Sequence, residues 1–105
     1  MKVYRGYDGK LRLFRPDCNC ERMVRSSTRV ALPAFEAEEL EKLIKVLLSI
    51  DGPRWLPQNL PGQYLYVRPA TIANGSQIGV RLPEEALLFV EAVPWPKLSA
   101  QIQEA

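Results

Sequence analysis

The stretch 36–50, EAEELEKLIKVLLSI, carries the clearest structural signal in this chain of 105 residues. Its large apolar side chains recur at i, i+3, i+4, i+7 and i+8, namely Leu40, Leu43, Ile44, Leu47 and Leu48. That spacing lines one face of an α-helix, so it predicts a helix from about Glu36 to Ile50 with this face in the core. On the opposite face we expect two i,i+4 ion pairs, which are Glu38 with Lys42 and Glu41 with Lys45.

Signals on either side set the expected limits of the helical region. Asp51-Gly52-Pro53 predicts the end of this helix, and Trp55 is expected to anchor the following loop, 54–62, onto the core. Upstream, the pattern predicts a shorter helix from Cys20 to Ala31, with Asn19 as its N-cap. The residues of this helix expected to face the core are Met23, Ser27, Val30 and Ala31.

Strand signals flank the helices. Lys2–Tyr7 and Lys10–Phe14 are separated by Asp8-Gly9, which predicts a hairpin with both turn residues at positive φ. Gln63–Arg68 alternates, with Tyr64, Tyr66 and Arg68 on one face and Leu65 and Val67 on the other, before Pro69 interrupts it. Leu87–Val90 is a last, buried strand, and a polar tail follows Pro96. The order ββααββ predicts an α+β domain with two helices on one side of a mainly antiparallel sheet.

Composition narrows the classes of function. Histidine is absent, which removes the commonest general base and metal ligand. Cys18 and Cys20 have a spacing that suits neither a disulfide framework nor a zinc site, so we expect two reduced, partly buried thiols and no metal. A net charge of +2 and the lack of a long apolar run indicate neither a nucleic-acid nor a membrane partner. The start of the chain shows no secretory signal.

Three groups of residues could bind an anion. With Asn19 as N-cap, Arg22 would lie in the first helical turn, where free N–H groups and the helix dipole suit a phosphate; the alternative is a surface ion pair. Tyr66 and Arg68 share one strand face and could orient a carboxylate, unless they only form a polar outer face. Arg22, Arg25 and Arg29 form a helical stripe that could bind an anion or face solvent. None of the five lysines has the surroundings of a nucleophile.

Several motifs taken together resemble the branched-chain amino-acid aminotransferases. The residues that carry the resemblance are Met1 to Gly6, Leu13-Phe14-Arg15-Pro16, Asn19, Arg22-Met23, Arg25-Ser26, Arg29, Leu32-Pro33, Phe35, Leu65-Tyr66-Val67-Arg68-Pro69, Gly79-Val80 and Ala86 to Val90. The resemblance covers residues 1–94, whereas 95–105 form a divergent tail. It implies the fold-type IV small domain of a pyridoxal-phosphate enzyme that is usually dimeric. Glu91 and Trp95-Pro96 depart from the family pattern, which is apolar at the first position and has a Val-Gly step at the second.

The resemblance implies roles for three residues. Arg22 would bind the cofactor phosphate, while Tyr66 and Arg68 would line the pocket for the amino acid or 2-oxo acid. The family's Schiff-base lysine and the acid that pairs with the pyridine nitrogen lie beyond the matched region, so we expect no catalytic residue in this chain, no stable binding of pyridoxal phosphate and no activity of the chain alone. The relatives' compartments imply a cytoplasmic or mitochondrial location. Two alternatives stay open: a non-catalytic partner that forms a dimer with a full-length aminotransferase, and an anion-binding module.

Overall fold

The computed structural model describes residues 1–57, 62–76 and 79–95. Within them lie two helices and four strands, in the predicted order: β1 (Lys2–Arg5), β2 (Leu11–Leu13), α1 (Pro16–Arg29), α2 (Ala37–Trp55), β3 (Tyr64–Ala73) and β4 (Ala86–Trp95). The strands form one antiparallel sheet in the order β2-β1-β3-β4. The predicted α+β class and ββααββ order are therefore confirmed. The predicted tail after Pro96 and residues 58–61 of the predicted loop lie outside the described residues.

The core lies between one face of the sheet and the two helices. Alternate residues of β1 and β3 point inward, and α2 contributes most of the facing apolar surface because its inner stripe has four-residue spacing. The fully buried or nearly buried apolar side chains are Val3, Cys20, Leu40, Ile44, Leu48, Leu56, Leu65 and Val67. Neither helix of the described residues packs on the opposite face of the sheet.

The first hairpin forms as predicted but with a different turn. The Gly9 N–H donates to Gly6 O at 3.0 Å, and the Gly6 N–H donates to Lys10 O at 2.8 Å. Among these turn residues only Gly9 has a positive φ, 82°, so the prediction of positive φ at Asp8 was wrong. The loop has three residues and ends on a left-handed glycine, a geometry that fits the twist of a hairpin as well as a two-residue turn does. Consequently β1 ends at Arg5 and β2 begins at Leu11.

Helix α1 begins four residues earlier than the sequence pattern indicated. Arg15 is the N-cap, with a left-handed φ of 47°, and Pro16 occupies the first helical position, where its missing N–H costs no helical hydrogen bond. Asp17 then complements the positive end of the helix. The prediction of Asn19 as N-cap was therefore wrong. Pro16 followed by Asp17 was the better signal for a helix start.

The C-terminal end of α1 also differs from the prediction. The helix stops at Arg29, because Ala31 adopts a left-handed φ of 60°. The Leu32 N–H donates to Ser27 O at 2.9 Å and the Ala31 N–H donates to Thr28 O at 3.0 Å. These two bonds satisfy the last carbonyls in a Schellman arrangement. Ser27 is buried as predicted and Met23 packs partly against the core, whereas Val30 and Ala31 are exposed, contrary to the prediction.

Helix α2 continues through the predicted stop signal to Trp55. Gly52 is buried against β2, since a Cβ at this position would lie 2.5 Å from Leu11 Cδ1. The last turn is held by Leu56, whose N–H donates to Gly52 O at 2.8 Å and whose side chain is buried. Pro53 therefore lies inside the helix, because these tertiary contacts offset its local preference to end it. Trp55 is 55% exposed, so the prediction that it anchors the following loop on the core was wrong. The side chain that is buried at this point is Leu56.

The apolar stripe of α2 is narrower than the sequence suggested. Leu40, Ile44 and Leu48 are buried, Leu47 is half-buried, and Leu43 is 56% exposed. On the solvent side, the predicted Glu41–Lys45 pair forms at 3.0 Å. Lys42 instead pairs with Glu39 at 3.3 Å, so the predicted pair with Glu38 was wrong. Pairs at i,i+3 and at i,i+4 both join residues one helical turn apart, and their energies are nearly equal at an exposed site.

Strands β3 and β4 are each ten residues long. β3 runs through Pro69, which we expected to interrupt it, and β4 runs through Pro94. Val67 directs its N–H toward β1, where it donates to Met1 O at 2.8 Å, so Pro69 two residues later faces the same side, beyond the end of β1. Pro94 lies opposite Leu65, on the outer edge of the sheet. Neither proline removes a hydrogen bond from the β3–β4 ladder, which explains why both are tolerated.

One buried charge ties the sheet to α2. Arg5 is 5% exposed, and its guanidinium donates from both Nε and Nη2 to Leu56 O, the former at 2.9 Å. Nη1 donates to Gly9 O in the hairpin turn. A cation at the C-terminal end of a helix is favourable because the last carbonyls lack helical partners. The Arg5 side chain therefore joins the hairpin and the end of α2 in one network.

Candidate functional site

A cleft of about 260 Å³ lies where α1 passes the uncovered edge of β3. The three predicted site residues Arg22, Tyr66 and Arg68 all line it, together with Met1, Asn19, Met23, Ser26, Val67 and Pro69. A complete small-molecule site usually occupies roughly 300 to 1,000 Å³, so this cleft has the size of part of a site.

β1 pairs with only part of the edge of β3 that borders the cleft. β1 pairs with β3 only from Tyr64 to Tyr66, and the last contacts are the two reciprocal hydrogen bonds between Met1 and Val67, at 2.9 and 2.8 Å. Beyond them, Pro69 offers no N–H to a further strand. Within the part of the chain that the structure describes, no strand pairs with this side of β3 from Arg68 onward, and α1 lies beside it.

Arg22 reaches the cleft from the second turn of α1. The first-turn argument for phosphate binding was wrong, since the helix begins at Pro16 and its dipole acts mainly within the first turn. The position of Arg22 is instead set by Asn19, whose Oδ1 accepts a hydrogen bond from Nη2 at 3.1 Å. Asn19 Nδ2 donates in turn to Arg15 O at 3.2 Å. Asn19 therefore orients the guanidinium rather than capping the helix.

Tyr66 and Arg68 lie on the outer face of the sheet, as the alternation predicted, and reach the cleft around its edge. The Arg68 guanidinium carbon is 5.7 Å from the centre of the Tyr66 ring, within the range of a cation–π contact. On its other side, Tyr66 packs at 5.7 Å against Trp95, with ring planes 46° apart. The Tyr66 ring therefore lies between Arg68 and Trp95 and sets the distance between these two side chains.

The positive charges of Arg22, Lys2 and Arg68 all act on the region around the Met1 α-amino group. Burial lowers the pKa of the Met1 α-amino group, and the charges of Arg22, Lys2 and Arg68 lower it further. Three cations that disfavour a further positive charge in the same place favour an anion there. The electrostatics of the cleft thus suit a phosphate or a carboxylate.

The donors present fit the phosphate of pyridoxal phosphate but not its covalent attachment. Arg22 supplies a guanidinium, and the Ser26 hydroxyl lies one helical turn further along the same wall. No lysine of the described residues lines the cleft. We predicted Arg22 from the sequence, but neither Ser26 nor the orienting role of Asn19. Ser26 lies at i+4 and Asn19 at i−3 from Arg22, on one helix face.

Other candidate groups lie elsewhere. Arg25 and Arg29, the rest of the predicted arginine stripe, are exposed and do not line the cleft. Both cysteines are free thiols, as expected; Cys20 is fully buried, whereas Cys18 is exposed and so differs from the expectation. Burial raises the pKa of Cys20, and the charges of Glu41 and Asp17 act in the same direction. Within residues 1–57, 62–76 and 79–95, no cluster of potential metal ligands occurs and no helix is long and apolar enough to cross a bilayer.

Several named proteins are similar in sequence to most of this chain. No family model matches it. The cytosolic branched-chain-amino-acid aminotransferase of Mus musculus is 48% identical over 94 residues, which is 90% of this chain and 24% of that protein. The mitochondrial form of Bos taurus is 46% identical to this chain over 94 residues. The matched region is 90% of this chain and 23% of that protein. The aminotransferase of Dictyostelium discoideum is 44% identical, with 24% of that protein covered.

These similarities confirm the resemblance to branched-chain aminotransferases seen in the sequence. The chain spans about a quarter of the length of these relatives. The relatives include proteins named as cytosolic and as mitochondrial.

Proposed function

We propose that this chain carries the small-domain wall of a branched-chain aminotransferase active site. In this proposal Arg22 binds the phosphate of pyridoxal phosphate, while Tyr66 and Arg68 face the amino acid or 2-oxo acid. The intact enzyme would exchange an amino group between leucine, isoleucine or valine and 2-oxoglutarate. The observation that carries the proposal is the single cleft lined by Arg22, Tyr66 and Arg68, in a chain 48% identical to such an enzyme over 94 residues.

Each residue has a physical task in this wall. The Arg22 guanidinium, oriented by Asn19, can donate two parallel hydrogen bonds to phosphate oxygens, and the Ser26 hydroxyl can add a third. Arg68 and the Tyr66 hydroxyl can orient a carboxylate at the other end of the cleft. When bound, pyridoxal phosphate supplies an electron sink for the bond changes at the amino-acid carbon.

The lysines support the proposal that this chain does not catalyse transamination alone. Lys2 lies on the outer sheet face with Nζ 4.6 Å from the Tyr64 ring centre, and Lys42 and Lys45 form ion pairs on α2. Lys10 belongs to the hairpin loop, and Lys97 lies outside the described residues. Because no lysine of the described residues lines the cleft, these residues would hold the cofactor only by its phosphate and by contacts with one wall. We therefore propose weak, reversible binding of pyridoxal phosphate.

The phosphate role can be tested by equilibrium binding. Wild type, Arg22→Ala and the matched control Arg25→Ala are titrated with pyridoxal phosphate and with pyridoxal, which lacks the phosphate. We expect Arg22→Ala to weaken binding of pyridoxal phosphate roughly tenfold or more, the equivalent of one charge-assisted hydrogen bond, and to leave pyridoxal unaffected. Arg25→Ala should behave as wild type. Equal losses for both variants would refute a specific role for Arg22.

Catalysis is tested separately. The chain is incubated with pyridoxal phosphate, leucine and 2-oxoglutarate, and glutamate formation is compared with the same mixture without protein. We expect no rate above this background. A protein-dependent rate that disappears in Arg22→Ala would contradict the proposed inactivity while supporting the proposed site.

A second function is favoured by one surface. Leu43, Val46 and Ile50 are 56%, 56% and 70% exposed and lie at i, i+3 and i+7 on α2, away from the core stripe. Such a stripe suits a protein partner, and a full-length aminotransferase is the candidate that similarity suggests. Co-purification of the chain with the Mus musculus enzyme, lost in Val46→Glu and kept in the exposed control Thr28→Glu, would support this function. No association with wild type would exclude it for that enzyme.

A further inference from the structure

Strand β4 forms the longer edge of the sheet. Within residues 1–57, 62–76 and 79–95 it pairs with β3 along its whole length, and no strand pairs with its other side. It spans ten residues, whereas β2 at the opposite edge has three. An edge strand exposes a row of backbone N–H and C=O groups to which a further strand can bond. The β4 edge is therefore the larger of the two places where a strand can be added.

The hydrogen bonds of β3 determine which groups of β4 point outward. Val67 exchanges two hydrogen bonds with Met1 and so directs its N–H and C=O toward β1. Because the two sides of a strand alternate, the next residue, Arg68, bonds to its partner Glu91 in β4. The residues of β4 between these bonded positions direct their N–H and C=O away from β3, and they are Ala86, Leu88, Val90 and Ala92.

Side chains beside this edge are apolar on both faces of the sheet. On the outer face, Leu87 is 49% exposed and Val93 is 45% exposed. On the inner face, Leu88 and Val90 pack against the core but are only half-buried. Residues 86–90 contain no charged side chain, and high β-propensity with low charge favours strand association. An added strand would cover part of each of these side chains.

The stretch 86–92 is complementary to a second copy of itself. When two copies run antiparallel around a two-fold axis at Phe89, Leu88 pairs with the partner's Val90, and the two outer residues pair in the same way. Every outward N–H and C=O of the stretch then has a hydrogen-bond partner. The two Phe89 side chains face each other as a close, non-hydrogen-bonded pair, in which aromatic residues stabilise a sheet.

Pro94 and Glu91 favour this axis over its neighbours. Moving the axis to Val90 or to Glu91 brings Pro94, whose ring replaces an N–H at the edge, against the partner strand. An axis at Glu91 also places two carboxylates opposite each other, where like charges are destabilising. The axis at Phe89 avoids both problems, because Pro94 lies outside the paired stretch and each Glu91 faces the partner's Leu87.

We infer that the β4 edge binds a second copy of this chain, so that the two sheets join into one with the β4 strands at its centre. The remaining edges are the two β2 strands, which are too short to add further chains well, so the assembly closes as a dimer. None of the outward residues of β4 lines the cleft of Arg22, so the inference goes beyond the proposed function and does not depend on it. Edge pairing buries less area than a standard interface, and we expect a dissociation constant on the order of 10 µM.

Sedimentation equilibrium tests this edge with two substitutions at one position. Val90→Pro removes an outward N–H and places a ring against the partner, whereas Val90→Thr keeps the N–H and the side-chain shape. Val46→Glu, on the exposed stripe of α2, controls for association through that helix. From about 1 to 300 µM protein, we expect Val90→Pro to weaken association at least tenfold and the other two variants to match wild type.

Circular dichroism verifies that each variant is folded. A wild type that stays monomeric throughout this range would overturn the inference. So would association that persists in Val90→Pro and is lost in Val46→Glu, because the contact would then lie on α2.

Hydrogen exchange resolved to single amides tests the same edge without any substitution. As the concentration of wild type rises well above the dissociation constant, the outward N–H groups of Leu88, Val90 and Ala92 should exchange about tenfold more slowly. The N–H groups of Phe89 and Glu91, which face β3, should keep their exchange rates and serve as the internal control. Protection of the outward groups that is independent of concentration would place their partners within one chain and overturn the inference.

Cross-linking tests the axis. In a Cys18→Ser background, which removes the exposed thiol, Phe89→Cys and Leu87→Cys differ only in their place along the outer face. Two residues in a close non-hydrogen-bonded pair lie within the reach of a disulfide. Under mild oxidation we therefore expect Phe89→Cys chains to link at least tenfold faster than Leu87→Cys chains, which face the partner's Glu91. Equal rates would overturn the pairing around Phe89 and with it the inference.

Discussion

The two faces of the sheet contain side chains with opposite tasks on the same strands. Leu65 and Val67 are buried under the helices, while Tyr66 and Arg68, which alternate with them in β3, stay on the open face. Because the side-chain period of a strand is two, a single strand can hold the core with every second residue and present a ligand surface with the others. The core contacts and the proposed ligand surface of β3 are thus separated by face rather than by segment.

Charges on the two faces are also treated differently. On the inner face, Arg5 is buried and donates to backbone carbonyls of Leu56 and Gly9. On the outer face, Lys2 and Arg68 lie over tyrosine rings and remain accessible. A buried cation must be satisfied by the protein itself, whereas an exposed one can exchange water for a ligand.

The largest expected effect comes from removing the inner charge. Arg5→Met leaves the Leu56 carbonyl buried without its donors, so we expect a loss of about 3 kcal/mol in the free energy of unfolding. Urea denaturation followed by circular dichroism measures it. Arg12→Met is the control, because Arg12 is exposed and pairs only with Asp8, and its effect should be much smaller. Equal effects would show that the Arg5 network does not support the fold.

A matched pair of valines compares the two faces directly. Val67 is fully buried and Val93 is 45% exposed, and both belong to the β3–β4 ladder. We expect Val67→Ala to cost about 2 kcal/mol of stability, from lost burial and the cavity it leaves, and Val93→Ala to cost less than about 1 kcal/mol. Thermal and urea unfolding provide the values. A larger loss for Val93→Ala would mean that the outer face is covered in the folded protein.

Periodicity predicted the elements of this fold well, and their ends poorly. The leucine spacing identified α2, and the alternation of Tyr64 to Arg68 identified both faces of β3. Gly52 and Pro53 misled because the end of α2 is decided by the burial of Leu56 and by contacts with Leu11 and Arg5, which are distant in sequence. Local preferences yield where a buried contact contributes more.

The candidate site was predictable in part. Arg22 was singled out by an argument from the helix terminus that the start of α1 at Pro16 removes, and its place in a cleft with Tyr66 and Arg68 depends on tertiary packing. Trp95, which packs against Tyr66, was missed because the last strand was expected to end at Val90. Continuing the alternation to Trp95 would have placed it on the face of Arg68.

The two cysteines extend the comparison of buried and open surfaces to α1. Burial raises the pKa of Cys20 and blocks access to it, while Cys18 is exposed. At pH 8 we expect one thiol per chain, Cys18, to react promptly with a disulfide reagent, and Cys20 to react only when the protein unfolds. Mass spectrometry of the labelled peptides distinguishes them. Rapid labelling of Cys20 in the native protein would contradict its burial.

The smallest expected effect is at the exposed hairpin. A side-chain hydrogen bond from Arg12, at 2.8 Å, lowers the pKa of Asp8, helped by the Lys10 N–H. A depressed folded-state pKa contributes stability above the unfolded-state value of about 3.9, and the contribution is lost as pH falls below it. The stability difference between wild type and Asp8→Asn should therefore shrink at low pH and in high salt. A difference independent of pH would show that the ion pair is not its source.

In the proposed function, the edge of β3 and the adjoining wall of α1 form a phosphate site. An amide chemical-shift titration of the isotopically labelled chain with pyridoxal phosphate tests this most directly. We expect the largest shifts at Arg22, Ser26, Val67 and Arg68, with little change in the hairpin loop. Shifts concentrated at Arg25 and Arg29, or none at the edge of β3, would contradict it.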